Sequence, residues 1–566
     1  MISVSGKIWE EIYTNKRQVE KIKIEYGLSE IQSKIVLSKN YSREEIHLIK
    51  NKLDLSNPFY NNKDFLLGCE LLHENIINKK RILVIGDYDV DGCMSAVLLV
   101  NFIRKNCGKV DFFIPDRLKD GYGASLNLII RLIKQFDPGF IIFVDNGSNA
   151  HDALKYIKSK KIQSLIIDHH NTSPTYPEAD VFINPKKNCE YNNYDYFCAT
   201  FLTYLFIDLY SKLKKNNPII QNDLILVLLA SVADVMPMKG INKILSKKVL
   251  FEFDINRNFL FKNILKFLNI KKKLEVYELG YKIAALLNSA GRLGNANDIV
   301  ELFTTTSKDR ITSILQKIYK LNNKRKLIEN EILNELKYDN YSKENGIIFI
   351  YKENLHEGLI GIIASRFKEY LNKPCIILTN SNNLIKGSAR STLEFNIGDL
   401  IQKSVQLGIT LGGGGHNLAA GVSLKKNKLN TFKNFINKNY NSNNTQSKNL
   451  YTSKLSLNAI NKEFIKSINL LGPFGNKNSQ PVFLINDIRF IKQSLIKNQY
   501  ISCFVKKGRK MIKSISFNNL NSKISYEILN SINNFDVLVK IKLNIWNYKS
   551  TMVLEIIDLI KKTNKS

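Results

Sequence analysis

Between residues 63 and 170 the chain alternates two patterns of apolar positions. Short, nearly continuous runs at Ile82 to Ile85, Lys109 to Ile114, Gly139 to Val144 and Ile162 to Ile167 read as strands buried on both faces. Phe65 to Ile77, Cys93 to Ile103, Leu126 to Phe136 and His151 to Lys160 instead space their apolar residues as helices do. Strands alternating with helices of this length predict βαβ units, and so a parallel sheet covered on both faces.

The pattern then changes three times. From Lys308 to Asp339, Ile311, Ile314, Leu315, Ile318, Leu321, Ile328, Ile332 and Leu336 recur at helical spacing among many charges, which predicts a long connector helix with one apolar stripe. Gly346 opens a second, smaller α/β segment, and Asn437 to Asn449 is an Asn/Ser/Lys-rich linker. Five β-rich runs follow, Pro481 to Ile488, Tyr500 to Val505, Met511 to Phe517, Phe535 to Ile545 and Thr551 to Ile557, which suit an OB-like barrel. The expected fold class is α/β with a C-terminal β-barrel module. Its expected parts are a polar helical segment (1–62), the parallel-sheet domain (63–250), a helical region with the connector (251–340), the smaller α/β domain (341–436), the linker (437–449) and the barrel (450–566).

Acids and histidines collect at the ends of the predicted strands. Asp87, Asp89 and Asp91 stand at alternate positions after the first, where strand periodicity would send all three to one side. Asp145 ends another strand, Asp168-His169-His170 a third, and Asp234 closes a long apolar segment. Each alone is an ordinary turn residue or cap. Jointly they converge, because ligands of open α/β sheets bind outside the carboxyl ends of the strands, and so many acids in one crevice call for hard divalent cations.

Composition adds a partner and removes other classes. The 566 residues are 44% apolar, yet the longest uncharged apolar stretch, Leu224 to Ala233, falls far short of the ~20 residues a membrane span needs. Met1 to Trp9 lacks the apolar core of a signal peptide, so the cytoplasm is the expected location. Cysteines at 69, 93, 107, 189, 198, 375 and 503 form no Cys-x-x-Cys pair and suggest neither a disulfide framework nor a zinc knuckle. A formal charge of +32 favours nucleic acid, although a chain crowded with Asn, Lys and Ile owes part of that excess to composition alone.

The motifs Gly86-Asp87-Tyr88-Asp89-Val90-Asp91-Gly92, Val144-Asp145-Asn146-Gly147, Asp168-His169-His170 and Val232-Ala233-Asp234-Val235-Met236-Pro237, in this order, resemble the DHH phosphoesterases. Over residues 60 to 560 the chain is similar to the RecJ exonuclease family. The resemblance implies that Asp89, Asp91, Asp145, His169 and Asp234 hold two Mn2+ or Mg2+ ions, with Asp145 bridging and His170 nearest the scissile phosphate. Many relatives carry a His where Ile85 stands, which makes Asp87 or water a candidate replacement ligand.

Further motifs imply contacts with substrate. Pro115-Asp116-Arg117 with Asp120-Gly121-Tyr122-Gly123, and Asn288-Ser289-Ala290-Gly291-Arg292-Leu293, resemble phosphate-contacting segments and nominate Arg117 and Arg292. Gly412-Gly413-Gly414-Gly415-His416 is expected to form an anion-binding nest, with Gly414 and Gly415 near the strand, followed by a helix start. In the family's DHH-associated domain, similar segments nominate His416 for nucleic-acid phosphate and Ser388 with Arg390 for a 5′-terminal phosphate.

The implied activity is 5′-to-3′ hydrolysis of single-stranded DNA to mononucleotides, in DNA repair and recombination. The implied partners are single strands with a 5′ end and, as candidates, a helicase or single-strand-binding protein; no membrane is involved and the chain is expected to be monomeric. Two alternatives are a nano-RNA or cyclic-dinucleotide phosphodiesterase and a non-catalytic single-strand-binding scaffold. The connector and barrel argue against the first, and the full acid set against the second.

Overall fold

A computed structural model describes residues 2–562 except 122, 173, 188–192, 216–222, 272, 343–345, 382, 441–447, 497–498, 521 and 547–548. Cys189, Tyr122 and most of the expected linker lie outside the described residues.

The strand that leads into the acids stops before them. Arg81–Ile85 is fully buried apart from Arg81, and helix Val90–Lys105 begins four residues after Gly86 with Asp89 as its N-cap. Asp89 accepts hydrogen bonds from the Asp91 and Gly92 amides, two donors that no helical carbonyl can satisfy. The expectation of three acids on one side of a strand is therefore corrected: capping turns the chain into a helix, and the three carboxylates leave from a loop, a cap and a first turn. Close packing enforces that turn, since a Cβ on Gly92 would lie 2.3 Å from the Asp87 nitrogen.

The surrounding sheet is parallel throughout, in the order Lys109–Phe113, Arg81–Ile85, Phe140–Val144, Gln163–Ile167, Val181–Ile183. Consecutive strands move outward to one side of Arg81–Ile85 and then to the other, so the switch point lies between Arg81–Ile85 and Phe140–Val144. A crevice forms outside the carboxyl ends of strands at such a point.

This sheet belongs to a unit made of Phe59–Pro218 and Lys282–Asn444. The same unit contains the long helix Lys308–Leu336 and a second sheet, ordered Gly412–His416, Ala419–Lys425, Leu384–Arg390, Cys375–Ser381, Ile348–Tyr351. The glycine run is corrected here, because no helix follows it. Gly412–His416 is a strand paired in a hairpin, Gly414 opposite Gly421 and His416 opposite Ala419.

The other unit is built from Met1–Pro58, Ile219–Tyr281 and Thr445–Ser566. Phe483–Ile496, Tyr500–Lys507, Lys510–Ser516, Lys549–Lys561 and Phe535–Trp546 pair in that order, and the last pairs back to the first, closing a five-stranded barrel. The N-terminal segment is no mere helical preamble. Its strand Ile8–Glu11 pairs with Lys448–Tyr451, and Leu28, Ile35, Ile46 and Ile49 share one apolar core with Ile485, Val505 and Val537 of the barrel. Buried Asp558 ties the two together, accepting hydrogen bonds from Ser5 Oγ (2.7 Å), Trp9 Nε1 (2.9 Å) and Asn449 Nδ2 (2.7 Å). Among the described residues no helix is long and apolar enough to cross a membrane.

Candidate metal centre and phosphate cradle

Asp145 leaves the end of Phe140–Val144 in the left-handed backbone region, at φ 60°, a strained geometry of the kind found at functional sites. Oxygens of Asp87, Asp89 and Asp145 lie within 4.8 Å of one another, and so do donor atoms of Asp145, His169 and His170. His169 Nε2 is 3.2 Å from Asp145 Oδ1 and 3.7 Å from Asp91 Oδ2. Asp145 is common to both groups, so the arrangement offers two adjacent cation positions. Asp91 is held differently: its two oxygens accept from the Ala199 and Thr200 amides at 2.8 and 2.9 Å, at the start of helix Ala199–Leu213. Asp234 is the C-cap of helix Leu224–Ala233 in the other unit.

Electrostatics shows what the cluster lacks. Burial, and then the charge of Asp89, push Asp87 up to about 8; burial and Asp91 raise Asp89 as well. Burial lowers His169 to about 4, leaving its imidazole neutral and able to donate a lone pair. Asp87 Oδ1 is buried with no hydrogen-bond partner among the described residues. Carboxylate oxygens with a neutral imidazole are the donor set of Mn2+ or Mg2+, so the residues fit these ions. Ile85 is not part of this set; its side chain packs with Leu83 and Phe143 in the apolar core.

Asp168, already among the strand-end acids, and Asn146 and Asn288, which were not assigned from the sequence, hold the centre together. Asp168 Oδ1 is 2.8 Å from His170 Nδ1 and also accepts from the His169 and His170 amides, while Oδ2 accepts from the Ser148 amide. Burial works to raise Asp168, but the charge and hydrogen bond of His170 outweigh it and hold the carboxyl well below its ordinary value. Asn146 Nδ2 donates to the carbonyls of Ile85 and Val144, stapling the strand ends on both sides of the switch point. Asn288 Oδ1 accepts from the Val90 amide at the start of the motif helix. The only signal for Asn146 was its place inside a motif, whereas Asp168 also stood among the strand-end acids.

Beside the acids, in the same unit, arginines converge. Arg292 Nη1 donates to Gly358 O (3.0 Å), and Arg390 Nη1 donates to Ser388 Oγ (2.9 Å) and Ala389 O (2.8 Å), so among the described residues these guanidiniums bond neutral oxygens and not carboxylates. Burial, and then the charges of Arg117 and Arg390, lower Arg292 to about 10. Arg117 lies over the Tyr88 ring, 5.1 Å from its centroid. A Cβ on Gly361, in the first turn of helix Ile360–Leu371, would come within 3.0 Å of Arg390 Nη2 and 3.1 Å of Ser388 Oγ. Guanidiniums crowded against a helix N-terminus make a cradle for an anion.

The glycine hairpin is adjacent to this chemistry. His416 is lowered by desolvation and then by the charges of Lys186 and His170. Gly413 and Gly415 are required by crowding, because added Cβ atoms would meet Ile401 at 2.7 Å and Ala419 O at 2.2 Å. Gly414 and its partner Gly421 instead face open space, leaving bare backbone that a ligand can approach.

Profiles of the DHH family's N-terminal domain, the DHHA1 domain and the RecJ OB domain match residues 81–232, 344–442 and 451–558. The chain belongs to the RecJ family. It is 27% identical to the single-stranded-DNA-specific exonuclease RecJ of Escherichia coli, over 80% of this chain and 83% of the relative. The RecJ exonuclease of Haemophilus influenzae is also 27% identical, over 94% and 96%. The RecJ fold is shared with a crystal structure of Thermus thermophilus RecJ in complex with Mn2+, at TM-score 0.83 and 19% identity, covering 98% of this chain and 80% of that one.

Proposed function

We propose that this chain is a metal-dependent exonuclease that degrades single-stranded DNA from its 5′ end, in DNA repair and recombination. The observation that carries the reading is Asp145, shared by two donor groups beside an arginine-lined cradle. Its RecJ relatives bear the name of single-stranded-DNA-specific exonucleases.

Asp87, Asp89 and Asp145 would hold one divalent ion, and Asp145 with His169 the neighbouring one. Asp91 would support His169, and Asp234 joins the ligand set from its motif alone. Divalent ions supply, when bound, Lewis-acid activation of water and charge neutralisation at the attacked phosphate. Asp168 fixes the His170 ring through Nδ1, which leaves Nε2 to hydrogen-bond the phosphate or hold a proton for the departing oxygen. Arg117 and Arg292 clamp phosphate oxygens in a planar fork, Ser388 and Arg390 receive the 5′-terminal phosphate, and Gly414, Gly415 and His416 line the strand's approach.

The barrel extends the track. Outward positions of adjacent strands carry Tyr500 and Phe504 interleaved with Arg489, Lys506 and Lys513, and Phe517, just past the end of Lys510–Ser516, brings its ring 5.5 Å from that of Tyr500. Aromatics among cations are a stacking platform for single strands. In this reading residues 63–250 are the catalytic domain, 341–436 a substrate-binding domain and 450–566 a nucleic-acid-binding domain. The enzyme works as a cytoplasmic monomer on strands exposed by a helicase or held by a single-strand-binding protein.

The test is digestion of 5′-phosphorylated single strands, duplexes and dinucleotides side by side in Mn2+, Mg2+ or EDTA. Single strands are expected to go to mononucleotides with either metal, and nothing to be cut in EDTA. Preference for dinucleotides would favour a small phosphodiesterase, and binding without cleavage a scaffold.

A further inference from the structure

Helix Leu224–Ala233 ends in a turn that its sequence disfavours. The Met236 amide donates to Ser231 O (2.9 Å) and the Val235 amide to Val232 O (3.2 Å), with Asp234 between helix and turn. These are the paired bonds of a Schellman motif, which places the residue after the cap in the left-handed region and normally uses Gly there. Here it is Val235, at φ 55°. A β-branched residue in that region is strained. Packing does not offset the strain, because Val235 is 63% exposed.

The group that holds the turn comes from the loop entering the barrel. Asn476 Nδ2 donates to Val235 O at 2.6 Å, and the Met238 amide donates to Asn476 O at 2.8 Å. Gly475 sits directly on Met238, with space for a Cβ only 3.3 Å from that side chain. One residue thus grips the turn on both sides, and all these groups belong to a single unit.

We propose that Asn476 is a positioning residue for Asp234: by clamping Val235 to Met238 it keeps the strained turn wound and the adjoining carboxylate oriented, so that the state of the barrel-entry loop sets metal affinity. This rests on the reading of Asp234 as a metal ligand.

The experiment is titration of the full chain with Mn2+, following free Mn2+ by electron paramagnetic resonance, with thermal melting recorded alongside. Asn476→Ala is expected to weaken Mn2+ binding at one position by about tenfold, the scale of lost support around a ligand. Glycine adopts the left-handed region without strain, so Val235→Gly alone should bind as wild type does, and in the double variant it should restore affinity to within about twofold. Unchanged affinity in Asn476→Ala, or a loss that Val235→Gly does not rescue, would overturn the proposal. Asp234→Ala separates the two levels. If it leaves Mn2+ binding intact, Asp234 is no ligand and the underlying reading fails at that residue; if it weakens binding while Asn476→Ala does not, only the positioning role is lost.

Discussion

The acids at the strand ends and the arginines beside them are both collections of like charge in one unit, yet the chain assembles them in different ways. Asp87, Asp89, Asp145, His169 and His170 come from the ends of three adjacent strands and are fixed by backbone amides and neighbouring side chains. Arg117, Arg292 and Arg390 come from a loop, a helix and the second sheet, far apart in sequence. Mutual repulsion destabilises both groups until something of opposite charge arrives. The acids call for cations that do chemistry, and the arginines for an anion to be held. Loss of an acid should therefore abolish turnover, whereas loss of an arginine should change which strands are accepted.

The largest effect expected is on the acid side. Asp145→Ala removes the group common to both cation positions and should lower hydrolysis by more than about a thousandfold, since metal stabilisation of a phosphoryl transition state is worth several kcal/mol. Binding of single strands, followed by fluorescence anisotropy, should persist because the arginines and barrel remain. Activity above a few per cent would remove Asp145 from the centre.

Arg390→Lys probes the other side. A lysine keeps the charge and loses the planar fork, so kcat/KM for 5′-phosphorylated strands should fall by roughly 1.5–3 kcal/mol, the worth of a charged hydrogen bond. Strands with a 5′-hydroxyl should change little. Equal losses on both substrates would show that Arg390 grips internal backbone or supports the fold.

The other unit supplies the contrast of a buried charge outside any cluster of metal donors found among the described residues. Lys243 is 1% exposed, its Nζ 3.2 Å from the centre of the Tyr41 ring and 4.0 Å from Glu45 Oε1, and burial lowers it to about 7. From there up to the ordinary lysine value the unfolded chain binds a proton that the folded one does not, so stability rises with pH across that window and is lost as pH falls. Denaturant midpoints between pH 7 and 10 should rise in the wild type, by up to a few kcal/mol in stability, and rise less in Lys243→Met, where Lys39, lowered by burial to about 8, still titrates. A flat wild-type profile would mean that the Tyr41 ring keeps the ammonium charged. Asp145 is as buried as Lys243, so what distinguishes the site is the convergence of several metal-donor groups and not burial alone.

This contrast also explains what could be read from sequence. The βαβ run and its strand-end acids were legible because each motif is local and the sheet brings strand ends together by rule. The error at Asp89 and Asp91 arose because capping won over strand periodicity. The glycine run was misread because Gly412–His416 owes its strand to pairing with Ala419–Lys425, and a bare run of glycines has no periodicity to reveal this. The N-terminal segment hid its partner because Ser5 and Trp9, ahead of its helices, meet Asp558 from the opposite end of the chain. The arginines were found only through family resemblance, as no spacing links residues 117, 292 and 390.

Polarity joins the two halves of the account, because the cradle must hold the end that the acids cut. Parallel digestion of one single strand, labelled at its 5′ end in one reaction and at its 3′ end in the other, tests this most directly. The 5′ label should appear as a mononucleotide from the earliest time, with no shortened intermediates, while the 3′ label should pass through a descending ladder. A ladder from the 5′-labelled strand, with early mononucleotide release of the 3′ label, would contradict the assignment of Ser388, Arg390 and the arginine cradle to the 5′ phosphate.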